Sequence, residues 1–438
     1  MMTSLSDPKI SFSIDHAITS VYAVHCDSGK VLIADNCDLS MIPASCLKVI
    51  TTGAALHLLG PNSRFATQLE YDGWFDRQIL YGNIYIKGGG DPCLGSDRVP
   101  GSLSWEEQIA LWADAIQKLG IQHIKGKIIG DASRWEKALA VPSWAWEDLG
   151  NHFGVGASAL TFHENSCSIF FNPPHAIGEP VSIMRINPPL TSHIFQNETI
   201  TGFAGSEEKI CLYGSEFSSN QCIRGSIPIG SGECSVRGAV PDSASFCADL
   251  LTSELEKRNI VIENNAIETF EKRISFHVTY SPSIAEIVHW TNQKSINLYA
   301  EHLLKKMGEV VFLEGSTNAG LKAVTEFWQS QDINLGGFHI CDGSGLSRKN
   351  LVTARQLVEI LMKMKESAFS PIFYHSLPQK ENDMRAKSGS LSLIKGFAGY
   401  TDQIAFAVLV NQCSNQSIMN EKVNAMLAYF NEISQRKS

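Results

Sequence analysis

Apolar, β-branched runs at residues 20–24 and 31–34 flank Asp27-Ser28-Gly29-Lys30, a pattern that predicts a hairpin. Residues 45–59 then predict a helix with Leu47, Val49, Ile50, Ala54, Ala55, Leu56, Leu58 and Leu59 spread around it. A helix apolar on nearly every side belongs in the interior. Gly60-Pro61 stops it, and Ser45 stands at its start, where a hydroxyl can cap the helix or point into a cleft. Residues 79–87 read as a strand running into the tight loop Gly88-Gly89-Gly90-Asp91-Pro92, and residues 105–119 as an amphipathic helix. Residues 155–245 carry short apolar runs among Ser and Gly, which predicts a mainly β region. Within it, Arg224-Gly225-Ser226-Ile227-Pro228 and Arg237-Gly238-Ala239-Val240-Pro241 repeat a short pattern and are expected to flank a hairpin. Helical periodicity returns at 245–257, 284–293, 297–307, 319–331 and 353–363. Strands at about 387–391 and 404–409 and a helix over 418–433 follow. The two ends of the chain are thus expected to share one sheet, with the middle inserted between them.

Composition narrows the class. At 438 residues and about 150 per domain, the prior is about three domains. With 44% hydrophobic and 18% charged residues the chain is globular rather than disordered or rod-like. A formal charge of −9 argues against nucleic-acid binding, which needs a basic face. Eleven cysteines lack any C-x-x-C pair, which argues against zinc ribbons and thioredoxin-like sites. Most are expected as small buried hydrophobes, though Cys211 and Cys222 are close enough in sequence to staple a hairpin. No apolar run reaches the length of a transmembrane segment, and the longest, such as 404–410, are strand-sized. Residues 1–15 lack the basic start and apolar core of a signal peptide, so either the protein is cytosolic or a leader has been removed. The thirteen histidines form neither H-x-x-x-H nor H-E-x-x-H, which argues against a metallopeptidase, and no metal or organic cofactor is expected.

Candidate chemistry begins at Ser45-Cys46-Leu47-Lys48. Positions i and i+3 at a helix start lie one turn apart on one face, so the lysine can reach the hydroxyl. Serine needs an adjacent base to act as a nucleophile, and a lysine neutralised by burial can be that base. S-x-x-K occurs at Ser6, Ser45, Ser206, Ser392 and Ser434, and only at Ser45 does it open a long buried helix. The competing reading is a capping serine with a solvated lysine. Ser295-Ile296-Asn297 precedes an amphipathic helix, although S-x-N also occurs at Ser218 and Ser316 and can be a helix cap. Lys387-Ser388-Gly389-Ser390 is the chain's one K-[ST]-G, opening an apolar strand whose glycine permits close approach of a substrate backbone. In the order S-x-x-K, S-x-N, K-[ST]-G these are the motifs of serine penicillin-recognising enzymes.

Over nearly its whole length the chain resembles the low-molecular-mass class C penicillin-binding proteins. These are the D-alanyl-D-alanine carboxypeptidase/endopeptidases of the penicillin-binding protein 4 type, serine peptidase family S13. The resemblance rests on residues 42–51 around the nucleophile, on Gly88-Gly89-Gly90-Asp91-Pro92, and on Ser295-Ile296-Asn297-Leu298-Tyr299-Ala300-Glu301. It rests further on Asp342-Gly343-Ser344-Gly345-Leu346-Ser347-Arg348 and on Lys387-Ser388-Gly389-Ser390-Leu391. It implies an α/β (α+β) fold: a transpeptidase-like domain, antiparallel sheet with helices, interrupted by two smaller, partly β domains. The expected boundaries are 1–65 with 275–438, then 66–154 with 246–274, and a nested 155–245. The spacing agrees, with 250 residues from Ser45 to Ser295 but only 92 from Ser295 to Lys387.

The resemblance also implies roles. Ser45 attacks a D-Ala-D-Ala stem peptide of peptidoglycan, Lys48 takes its proton, and the Ser45 and Ser390 amides hold the oxyanion. Ser295 with Lys387 returns a proton to the leaving amine, and Asn297 positions substrate or Lys48. Ser388, Gly389 and Ser390 bind substrate, Ser388 through its terminal carboxylate. β-Lactams would acylate Ser45, and the enzyme would work in the periplasm or cell envelope. Eleven cysteines sit uneasily with that oxidising compartment. Trp144-Ala145-Trp146-Glu147-Asp148 resembles a segment whose Asp faces the substrate's side-chain amine, a role that falls to Asp148 unless it is a solvated carboxylate beside packed tryptophans. Residues 342–347 are expected to form a tight loop bracing the nucleophile helix. Two departures from the family are Ser388 where threonine is commoner and a shorter run at 376–384. The alternatives are a β-lactamase-like hydrolase or a catalytically weak cell-wall binding protein.

Overall fold

The computed structural model describes residues 12–172, 176–191, 193–266, 272–380 and 383–435. Outside them lie most of the N-terminal stretch, the S-x-x-K match at Ser6, the lysine of the match at Ser434, and two residues of the run 376–384. The chain divides into two compact units, Met1–Ser63 with Ile284–Ser438, and Arg64–Ser283.

In the first unit the predicted hairpin, Ile18–His25 and Val31–Asp35, joins a five-stranded antiparallel sheet. The order is Arg385–Leu391, Ile394–Tyr400, Ile404–Asn411, Ile18–His25, Val31–Asp35, so both chain ends meet in one sheet. Every residue of the central strand Ile404–Asn411 is buried. A strand covered on both faces reads as a continuous apolar run, which is why its signal is strong. Phe406, Val408 and Val410 pack against Met419, Val423, Met426 and Phe430 of the last helix, Gln416–Gln435. Helix Ala354–Glu366 also packs on that strand, and its Leu361 carbonyl accepts from the Tyr400 hydroxyl of the adjacent strand. Helix Leu47–Leu59 lies against the helices Ile284–Gln293, Asn297–Phe312, Thr317–Ser330 and Ala354–Glu366. Its first ten residues are buried, as an all-round apolar helix must be.

The second unit holds two four-stranded and two three-stranded sheets. One core gathers Trp112 of the amphipathic helix Trp105–Lys118 with Phe162, Phe171 and Phe246. The mainly β reading of 155–245 matches six strands between Ser166 and Ala239.

Four expectations change. The strand expected over 79–87 is two strands in different sheets, Ile79–Tyr81 and Ile84–Lys87, because Gly82 lies against the Asp72 carbonyl and Asn83 bonds the Asp72 carboxylate. The two Arg-Gly repeats do not flank a hairpin. Asn220–Pro228 pairs with Ile194–Gly202 and Lys209–Tyr213, while Cys234–Ala239 pairs with Ser166–Asn172. Strand Ile394–Tyr400 and the short helix Ser370–Ser376 are additional to the expected elements. Cys211 and Cys222 are not joined: all eleven cysteines are free thiols, eight of them buried. The register sets Cys211 opposite Arg224 and Cys222 opposite Tyr213.

The sheet-to-helix contact gives a stability prediction. Phe430→Ala removes a fully buried ring 4.8 Å from Phe406 and is expected to cost about 3–5 kcal/mol. Ile418→Ala on the exposed face of the same helix should stay within about 0.5 kcal/mol, both read from urea midpoints.

Candidate functional site

Ser45 sits in the single 3-10 turn Ala44–Cys46 that leads into helix Leu47–Leu59, and it makes no side-chain capping bond. The turn leaves its hydroxyl 3.0 Å from Lys48 Nζ. Lys48 is fully buried, not solvated. Its Nζ donates to Asn297 Oδ1 at 2.6 Å and to the Ser344 carbonyl at 2.7 Å. Burial pushes its pKa well below the ordinary lysine value, and the nearby Lys387 charge pushes the same way, against Asp342 and Glu301. A neutral primary amine has two N–H bonds and one lone pair. With both N–H bonds taken by oxygen acceptors, the lone pair is left for the Ser45 hydroxyl, the geometry a general base needs.

Ser295 adopts a left-handed backbone, φ 56°. Ile296, not Ser295, is the N-cap of Asn297–Phe312, so the serine hydroxyl is not spent on capping. Instead Lys387 Nζ donates to Ser295 Oγ at 2.9 Å and to the Ser388 carbonyl at 2.7 Å. Backbone strain at a buried polar cluster is characteristic of functional positions. Burial lowers the Lys387 pKa to about 8, with the Lys380 charge adding to the effect and Cys46 opposing it. The Ser316 match, by contrast, is a cap, its Oγ accepting from the Ala319 amide, and Lys209 of the Ser206 match is an exposed side chain paired with Glu207.

Lys387, Ser388, Gly389 and Ser390 lie on Arg385–Leu391, the edge strand of the sheet. A Cβ on Gly389 would stand 2.6 Å from the Pro43 carbonyl and 3.0 Å from the amides of Ser45 and Cys46. Only glycine lets this strand lie against the turn that carries Ser45. Cys46 fills the other side of that contact, its thiol 3.6 Å from the Lys387 carbonyl and pushed by burial to about 12, so it stays protonated.

The loop at 342–347 does brace the nucleophile helix. Thr51, one turn beyond Lys48, donates to the Gly343 carbonyl at 2.7 Å. Gly345, at φ +85°, packs on the Ala44 carbonyl. Asp342 accepts from the amides of Gly345 and Ser347 and from Asn350. The loop also does what the sequence reading missed, presenting the Ser344 carbonyl to Lys48. A backbone acceptor has no residue signature; the signal in the sequence was the Asp342-Gly343-Ser344-Gly345 run itself, expected only to brace the helix. Of the sequence candidates, Ser45, Lys48, Asn297, Ser295 and Lys387 form two linked clusters, with Ser388, Gly389 and Ser390 on the adjoining strand. Asp148 belongs to the other unit, where it is buried rather than solvated; Trp144 is buried too, and Trp146 is exposed.

The model of the D-Ala-D-Ala carboxypeptidase 3 (S13) family matches residues 3–432. The chain is 24% identical to a D-alanyl-D-alanine carboxypeptidase of Actinomadura sp. (strain R39), over 93% of this chain and 79% of that one. It is also 24% identical to the D-alanyl-D-alanine carboxypeptidase DacB of Haemophilus influenzae, over 91% of this chain and 86% of that one. Its fold is similar to the crystal structure of penicillin binding protein 4 from H. influenzae, with TM-score 0.81, 20% identity, and coverage of 98% of this chain and 100% of that one.

The close strand-to-turn contact yields a mutational prediction. Gly389→Ala must displace either the strand or the turn by a few tenths of an ångström or more. Covalent labelling of Ser45 by fluorescent penicillin is expected to slow by about 100-fold, while far-UV circular dichroism stays that of the wild type.

Proposed function

The chain belongs to the D-Ala-D-Ala carboxypeptidase 3 (S13) family, and from that premise we propose that it is a serine DD-peptidase. It cleaves the D-alanyl-D-alanine bond of peptidoglycan stem peptides through an acyl-enzyme on Ser45, and β-lactams acylate the same serine. The observation that carries the reading is the amine of Lys48, fully buried, its pKa pushed well below the ordinary lysine value, within hydrogen-bond distance of two carbonyl oxygens and of the Ser45 hydroxyl.

The steps follow. Lys48 takes the Ser45 proton as Oγ bonds to the carbonyl carbon of the penultimate D-Ala. The amides of Ser45 and Ser390 hold the oxyanion. As the C–N bond breaks, the Ser295 hydroxyl gives its proton to the leaving D-Ala amine and is resupplied with the proton that Lys48 took from Ser45, which returns Lys48 to the neutral amine. Water then attacks the ester carbon as Lys48 takes its proton, and Lys48 passes that proton to Ser45 Oγ as the C–O bond breaks, restoring the free hydroxyl and the neutral amine. Ser388 and the Lys387 charge recognise the substrate's terminal carboxylate, and Gly389 admits its backbone to the strand edge. The substrate class assigns the enzyme to the cell envelope. Among the described residues no helix is long and apolar enough to cross a membrane.

Incubation with penicillin tests the reading. A persistent mass adduct is expected on the wild type and none on Ser45→Ala. An unlabelled wild type, or equal labelling of both, overturns it; rapid penicillin turnover without a lasting adduct makes the protein a β-lactamase. The acylation rate should also follow a bell in pH. Its acid limb is the protonation of Lys48, displaced far below the ordinary lysine range because the folded site favours the neutral amine. Its alkaline limb lies near pH 8, where Lys387 loses the charge that attracts the carboxylate. Stopped-flow labelling as a function of pH reads both limbs.

A further inference from the structure

Glu301 is a buried carboxylate that the mechanism above does not use. It lies on helix Asn297–Phe312, four residues after Asn297 and therefore on the same face one turn along. Its carboxylate accepts from the Ser344 amide at 2.8 Å and from the Gly343 amide at 3.1 Å through each oxygen. The carbonyl of that same Ser344 is one of the two acceptors on the Lys48 amine. One helical turn therefore controls both acceptors, Asn297 directly and Glu301 through the Ser344 residue.

We propose that Glu301 is a positioning residue for acyl transfer: by clamping the Gly343 and Ser344 amides it holds the Ser344 carbonyl where it orients the Lys48 lone pair at Ser45. The proposal rests on the reading of Lys48 as the base.

Three observations carry it. A carboxylate 2% exposed is costly to bury unless its oxygens are used, and the bonds it makes are to backbone amides of this loop. Those amides belong to residues whose carbonyls both serve the nucleophile helix, Gly343 at Thr51 and Ser344 at Lys48. The loop holds its own shape through Asp342, which bonds Gly345, Ser347 and Asn350, so Glu301 acts on its position rather than its internal form. Burial and the Asp342 charge push the Glu301 pKa up to about 7, against its bonds to Ser344 and Gly343 and the Lys48 charge. The charged and titratable groups around the Lys48 amine are Lys387, Asp342, Glu301 and Cys46.

Full-length protein and fluorescent penicillin test this by separating the acylation rate constant from the non-covalent dissociation constant. Glu301→Leu keeps the volume and removes both acceptors; Glu301→Gln leaves one oxygen within reach of both amides. Misplacing the base slows chemistry without weakening binding, so Glu301→Leu should lower the acylation rate constant by about tenfold or more and leave the dissociation constant within about twofold. Glu301→Gln should lie between it and wild type, with the titre of reactive sites unchanged in both. If Glu301→Leu fails to fold, Glu301→Gln alone decides by the same split. Acylation constants at the wild-type value, or rate and dissociation constants changing in proportion, overturn the proposal. A wild type that takes no penicillin overturns instead the reading on which it rests.

Discussion

The site depends on the removal of one amine from water. Lys48 is fully buried, and burying an ammonium is costly, which pushes its pKa well below the ordinary lysine value. Once neutral it can accept from a hydroxyl, but an amine free to rotate would present an N–H as readily as a lone pair. Asn297 Oδ1 and the Ser344 carbonyl remove that freedom. The remainder of the first unit can be understood as what holds those two oxygens and the Ser45 turn in place.

Lys387 is the second pole. It too is buried, and its charge lowers the affinity of Lys48 for protons. Its pKa lies near 8, whereas burial pushes that of Lys48 well below the ordinary lysine value. Two lysines thus take different tasks because their surroundings differ, one closed in against carbonyl oxygens and one on a sheet edge beside Ser295. The strand can deliver Lys387 there because Gly389 lets it lie against the Pro43 carbonyl.

Much of the architecture was legible. The hairpin Ile18–His25 and Val31–Asp35, the helix Leu47–Leu59 and the strand Ile404–Asn411 all announce themselves through burial patterns that residue types reflect directly. Strand Ile394–Tyr400 did not, because Gly396 and Gly399 weaken its β signal. They are there for packing, Gly396 against Leu409 and Cys46, and Gly399 against Arg385 and Ala386. The Arg-Gly repeats misled for a related reason: local pattern favours a strand, but which strand pairs with which is decided by distant segments.

The sequence by itself determined the residues that can do chemistry and the one spacing that is local, Ser45 and Lys48 a single turn apart. It also made Ser45 stand out among five S-x-x-K matches, since only that one opens a buried helix. The tertiary structure decided the surroundings of the Lys48 amine. Asn297 comes from 249 residues away and the Ser344 carbonyl from 296. Neither the desolvation that lowers a pKa nor the position of a backbone oxygen is a property of a residue type. Every residue carries a carbonyl, and only folding selects which one faces the amine.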